Sequence, residues 1–122
     1  MLNFSLDEFE CPCCRELPLE FYPNVRRLID EILDPIRTVI RCPIFVSSGY
    51  RCDKRNGEVG GADKSFHLKG AAADIFITDQ ARFESIIQFI DFNWNGGMGI
   101  YRTDREELNF IHLDIRSNRR RW

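Results

Sequence analysis

At 122 residues, with 43% of them apolar and ten Phe, the chain can bury one modest core and has little room for a second. Seventeen basic against nineteen acidic residues leave a formal charge of −2, so no global pull toward nucleic acid is expected. No apolar run approaches the roughly 18 residues that cross a bilayer, which argues against membrane insertion.

A single domain, 1–122, is expected, as a monomer, with residues 1–22 forming an irregular Cys-containing segment. Met1-Leu2-Asn3-Phe4-Ser5 lacks a basic region followed by an apolar one, so no signal peptide is visible and cytoplasmic synthesis is the expectation. Cys11, Cys13, Cys14, Cys42 and Cys52 are odd in number, which fits a reducing compartment better than a disulfide framework.

Ser5-Leu6-Asp7-Glu8 has the Ser-x-x-Glu form of a capping box and predicts one short helical turn. From Pro23 to Ile40 the apolar positions Val25, Leu28, Ile29, Ile32, Leu33, Ile36, Val39 and Ile40 follow the three-four spacing of an amphipathic helix. Pro35 falls inside it and should kink or divide it. Pro43-Ile44-Phe45-Val46 reads as a short buried strand, and the polar, Gly-containing stretch 52–64 as a long loop.

Residues 71–77 predict a second strand. Thr78 or Asp79 can cap a helix running to about Phe92, with Phe83, Ile86, Ile87 and Ile90 inward. Asn95-Gly96-Gly97 turns into a strand over 98–101, and residues 110–115 make a last strand. The four arginines of Arg116 to Arg121, before Trp122, read as a solvated tail. The order of elements suggests an α+β fold, a small antiparallel sheet with helices packed on it.

The chain has two histidines, His67 and His112. Catalytic zinc takes three protein ligands from His and carboxylate groups and keeps a fourth position open. His67 on a loop, Asp74 on the strand after a turn at Gly70, and His112 on a neighbouring strand supply such a set. H-x6-D spacing by itself is weak evidence.

Ser65-x-His67-x-x-Gly70-x-Ala72-x-Asp74 resembles the S-x-H-x-x-G-x-A-x-D signature of the D-Ala-D-Ala metallopeptidases, and all five defined positions match. That family includes zinc D,D-carboxypeptidases, D-Ala-D-Ala dipeptidases, phage endolysins and murein endopeptidases. Ser48-Gly49-Tyr50-Arg51, Asn56 and Val59-Gly60-Gly61-Ala62 are similar to its lead-in. Gly99-Ile100-Tyr101 and Phe110-Ile111-His112-Leu113-Asp114 look like its closing strands.

The resemblance implies Zn2+ held by His67, Asp74 and His112 in a hedgehog-like zinc fold, with Arg51 and Ser65 lining a substrate cleft. It implies peptidoglycan peptides as substrate, cut next to a D-amino acid, with the protein reaching the wall by release or as a virion part. Many relatives carry a Glu or Asp base three residues before the last histidine. This chain has Asn109 there. Asp114, on the same strand face as His112, is the preferred base, with Glu106 and Glu107 as alternatives and an orienting role for Asp114 also open.

Two other readings stand beside the peptidase. One is a zinc-containing binding module, as hedgehog signalling domains illustrate; the other is a phage structural component with local muralytic activity. Cys11-Pro12-Cys13-Cys14 with Cys52 invites a second zinc site, but adjacent Cys13 and Cys14 are not a standard ligand pair, so one zinc per chain is expected.

Overall fold

The computed structural model describes residues 3–122; Met1 and Leu2, which open the segment read for a leader, lie outside them. The capping box is present: the Ser5 N–H donates to the Glu8 carboxylate at 2.7 Å, and a 3-10 turn, Leu6–Phe9, follows. Phe9 at its end is fully buried and anchors the irregular stretch that follows.

Pro35 shapes the first long helix. It has no N–H to offer the Glu31 carbonyl, and its ring needs room there. The backbone answers with a π turn, Ile29–Leu33, between α1 (Tyr22–Leu28) and α2 (Asp34–Ile40), and the Asp34 N–H bonds back to Ile29 O. The widened turn keeps the apolar stripe continuous, so Val25, Leu28, Ile29, Ile32, Leu33, Ile36 and Ile40 are all buried. Val39 is the exception at 57% exposed; it lies on the outer face. Leu33 has no exposed surface and sits in the core cluster. Leu33→Ala should therefore cost about 2–5 kcal/mol in denaturant unfolding while leaving the activity of the folded fraction intact. A selective loss of activity at unchanged stability would contradict this assignment.

The sheet has five strands in the order β1-β2-β4-β3-β5. They are β1 (Ile44–Ser48), β2 (Ala72–Ile77), β3 (Gly97–Tyr101), β4 (Phe110–Asp114) and β5 (Arg120–Arg121). All neighbours run antiparallel except β3 and β5. The remaining helices are α3 (Asp53–Glu58) and α4 (Phe83–Asn93). Asp79 caps the 3-10 turn leading into α4, accepting from Arg82 N–H, and Phe83, Ile86 and Ile90 are buried. No helix among the described residues is long and apolar enough to cross a membrane.

Strand alternation divides the sheet chemically. Ile44, Ala73, Ile75, Ile77, Met98, Ile111 and Leu113 join the helices in one core cluster. The alternate positions, Asp74, His112 and Asp114, belong to the other face.

Two expectations need correction. Strand β1 is an edge strand and only half buried: Ile44 faces the core, while Phe45, on the alternate face, is 56% exposed. The stretch 52–64 contains α3, whose N-cap Cys52 accepts from Arg55 N–H through its sulfur. The arginine-rich tail is exposed, as expected, but it is not loose. It folds back as β5, Trp122 N–H reaches Met98 O at 3.1 Å, and Arg119 and Arg121 both bind the Asp91 carboxylate.

Candidate metal centre

Strand register brings the candidate ligands together. Asp74 on β2 is the direct partner of His112 on β4, which in turn faces Gly99 on β3. Directly opposed residues share a sheet face, so both ligand side chains project the same way. Gly99 is required there, since a Cβ would lie 2.4 Å from the Trp122 ring. His67 arrives on a 3-10 turn, Phe66–Lys69, whose N-cap Ser65 accepts the His67 N–H through Oγ at 3.2 Å. Gly70 ends that turn with φ +63, a left-handed value favouring glycine, and feeds the chain into β2.

The donor atoms converge. His67 Nε2 lies 3.3 Å and His112 Nδ1 3.0 Å from Asp74 Oδ1, and one donor atom from each of the three residues falls within 4.8 Å of the others. Tetrahedral zinc with bonds near 2.0–2.1 Å places its ligands about 3.3 Å apart, so the spacing fits. The outer nitrogens are both engaged. His67 Nδ1–H donates to Gly49 O at 2.7 Å, and His112 Nε2–H donates to Asp114 Oδ2 at 2.8 Å. With those tautomers two imidazole lone pairs and a carboxylate oxygen face one another in a buried place. Only a cation or a proton between them relieves that arrangement, so the residues fit a metal ion.

Electrostatics agree. Burial disfavours the Asp74 carboxylate, but when protons occupy the inner nitrogens of His112 and His67 their hydrogen bonds outweigh it and hold its pKa below the usual range. Burial likewise opposes the His112 imidazolium, while Asp114 and Asp74 together push its pKa up.

Arg51 packs beside the set. Its guanidinium donates to Asp74 Oδ2 at 3.1 Å, Ser48 Oγ at 3.0 Å and Asn56 Oδ1 at 3.4 Å, and it faces the cleft. Arg51 thus holds Asp74 as well as lining the site. Ser65 caps the His67 turn and faces the cleft.

Asp114 sits differently from what strand alternation alone suggests. It has no exposed surface. Arg116 Nε donates to Oδ1 and Arg116 Nη2 to Oδ2, both at 2.7 Å, while Gly97 N–H adds a bond at 3.2 Å. A Cβ at Gly97 would press to 2.4 Å from Asp114 Oδ1, so the strand carries glycine where the carboxylate lies. Burial raises the Asp114 pKa, but His112 and Arg116 more than offset this and keep it ionised. The carboxylate therefore touches the site through His112.

The cleft over these residues has a volume of about 430 Å³. Sequence reasoning missed its walls. Arg116 lies 4.9 Å from both the Phe66 and the Trp122 ring centroids, sandwiched between them, and Trp122 Nε1–H donates to Tyr101 Oη at 2.7 Å. Lys64 and Phe110 also border it. Phe66, Tyr101 and Trp122 are plain in the sequence, but only the return of the tail onto β3 brings Trp122 there. Glu106 and Glu107 are exposed on a 3-10 turn, with Glu107 paired to Arg105, and neither borders the cleft. Asn109 is buried with its Oδ1 accepting the Thr103 N–H at 2.7 Å, so it shapes the loop before β4.

Comparison with known proteins identifies the family. The family model described as Peptidase M15 matches residues 3–114, nearly the whole chain. The chain belongs to the peptidase M15 family, and the activity class is that of a metallopeptidase. No curated protein matches it.

Proposed function

We propose that this member of the peptidase M15 family hydrolyses amide bonds in peptidoglycan stem or cross-link peptides next to a D-amino acid, as a D,D-carboxypeptidase or murein endopeptidase. The observation carrying the reading is the convergence of His67 Nε2, Asp74 Oδ1 and His112 Nδ1 at the floor of an open cleft. Zinc is the ion that suits two imidazoles and a carboxylate. When bound there, it supplies a water of lowered pKa and polarises the scissile carbonyl.

The chain's own residues do the rest. Gly49 O and Asp114 fix the tautomers of His67 and His112, so both present lone pairs inward. Arg51 has five N–H donors. Ser48, Asn56 and Asp74 take three of them, which leaves donors for the oxyanion or a substrate carboxylate. The Ser65 O–H, its oxygen already accepting from His67, is left to donate to substrate. Lys64 and Arg51 give the cleft a cationic lining suited to a peptide carboxylate.

Trp122 forms an aromatic wall against which a peptide lies, 5.3 Å from the His112 ring centroid. Trp122→Ala should raise KM about tenfold, a loss of about 1.4 kcal/mol of binding, with kcat little changed and zinc content intact. An unaltered KM would remove Trp122 from the substrate site.

A second reading has a specific observation in its favour. Asp74 is the one carboxylate bordering the cleft among the described residues, and Asn109 holds a loop. A zinc-holding binding module of the wall would look the same. Zinc-loaded protein incubated with purified monomeric and cross-linked muropeptides, read by mass, separates the two. Loss of a terminal D-alanine or separation of a cross-linked pair identifies the bond. Unchanged masses with muropeptide bound would establish the module.

A further inference from the structure

We propose that Cys11, Cys13, Cys14 and Cys52 form a second, structural zinc site that clamps the N-terminal segment onto the loop carrying Arg51. None of these thiols is in a disulfide, and they lie apart from the histidine centre in the chain and in the cleft lining. The Cys11 and Cys52 sulfurs are 3.6 Å apart, too far for an S–S bond near 2.05 Å. Tetrahedral zinc with Zn–S bonds near 2.3 Å sets neighbouring sulfurs about 3.8 Å apart, close to that spacing. The Cys14 sulfur joins them, with all three within 4.8 Å of one another. Cys13, exposed and next in the chain to Cys14, lies near enough to interact electrostatically with Cys52, which makes it the fourth candidate ligand.

The backbone is shaped for the same purpose. Arg15 N–H closes a turn to Cys11 O at 2.7 Å, Cys11 N–H bonds Glu16 O at 3.0 Å, and Arg15 itself is left-handed at φ 57. This curl turns Cys11 and Cys14, spaced as Cys-x-x-Cys, toward one point and places Cys13 on its open side. Backbone N–H groups address the sulfurs: Cys52 N–H points to Cys11 Sγ and Arg55 N–H to Cys52 Sγ, each at 3.5 Å. Burial disfavours the Cys11 thiolate, yet the backbone N–H groups of Cys52, Cys14 and Cys13 outweigh it and bring its pKa to about 7. The irregular backbone of residues 10–16 thus brings the Cys-x-x-Cys pair to Cys52, far from it in sequence.

Binding needs no oxidant. Each thiol that ligates releases its proton to solvent and gives the sulfur lone pair to the cation. The consequence reaches the histidine centre mechanically. Tyr50 N–H bonds Phe9 O at 2.9 Å, and a Cβ on Gly49 would fall 2.7 Å from the Phe9 Cα. Gly49 holds His67, and Arg51 directly precedes Cys52, so a clamp at the cysteines steadies both.

Zinc content of protein expressed with zinc and purified under reducing conditions tests this without any hydrolysis assay. Wild type should hold two equivalents, and a His67→Ala/His112→Ala double variant one. Cys14→Ser and Cys52→Ser should lose the cysteine equivalent; serine at 52 still caps α3, which keeps the fold testable. Cys42→Ser, at a buried cysteine outside the cluster, should leave zinc unchanged. Cobalt in the histidine double variant should show sulfur-to-metal charge-transfer absorption. A histidine double variant without metal, cobalt bound with no such absorption, or a Cys11–Cys52 disulfide under the same conditions would overturn the site.

Discussion

His67→Ala and His112→Ala should each empty the histidine centre of zinc and abolish hydrolysis. Each variant removes one of three donors that meet around Asp74 Oδ1. The loss should far exceed the roughly 10–100-fold that follows from removing a group that only orients a ligand. Neither substitution should unfold the chain, because the core cluster lies on the opposite face of the sheet. Elemental analysis of the Cys52→Ser background counts this centre alone. Undiminished zinc in either alanine variant would remove that histidine from the ligand set.

Asp114→Asn is the second large effect, and its pattern tells which task the carboxylate performs. A residue taking the proton from the attacking water should lose about 10²–10⁴-fold in kcat with metal affinity unchanged. The geometry supports a different outcome. Asp114 is fully buried, both oxygens are held by Arg116, and Oδ2 also receives the His112 Nε2–H. An amide there can present its NH2 to His112 and favour the wrong tautomer, turning a hydrogen-bearing nitrogen toward Asp74. It also leaves the Arg116 charge without its partner, which typically costs about 3–5 kcal/mol when a buried pair is broken. We therefore expect weaker zinc binding and lower stability together with the loss of rate. A pure kcat loss with full zinc affinity would return Asp114 to the role of base, and an unaffected enzyme would remove it from the mechanism.

Much of this was legible in the sequence because local signals and burial agreed. The three-four spacing from Val25 to Ile40 marked a helix, and Pro35 marked where it would change. The ten-residue segment ending at Asp74 held two candidate ligands in order, and β2 paired with β4 so that Asp74 met His112. Alternation placed Asp114 on the His112 face. It could not give depth, because the partner that buries Asp114 is Arg116, from beyond the strand end. The helix α3 was hidden by polar composition and Gly57; its cap is a cysteine sulfur and its anchor is Asn56, bonded to Ala62 O. Trp122 was invisible for a topological reason, since a two-residue parallel strand on β3 carries no periodicity.

The central claim is zinc-dependent amide hydrolysis at the His67–Asp74–His112 centre. Its most direct test follows cleavage of a muropeptide ending in D-Ala-D-Ala, and of a cross-linked muropeptide, while zinc is returned to metal-free protein. Wild type and His112→Ala are run side by side. The account predicts that product appears in wild type as the histidine centre fills, and that His112→Ala stays silent at every zinc concentration. Both muropeptides left intact by fully zinc-loaded wild type, or cleaved equally by His112→Ala, would contradict it.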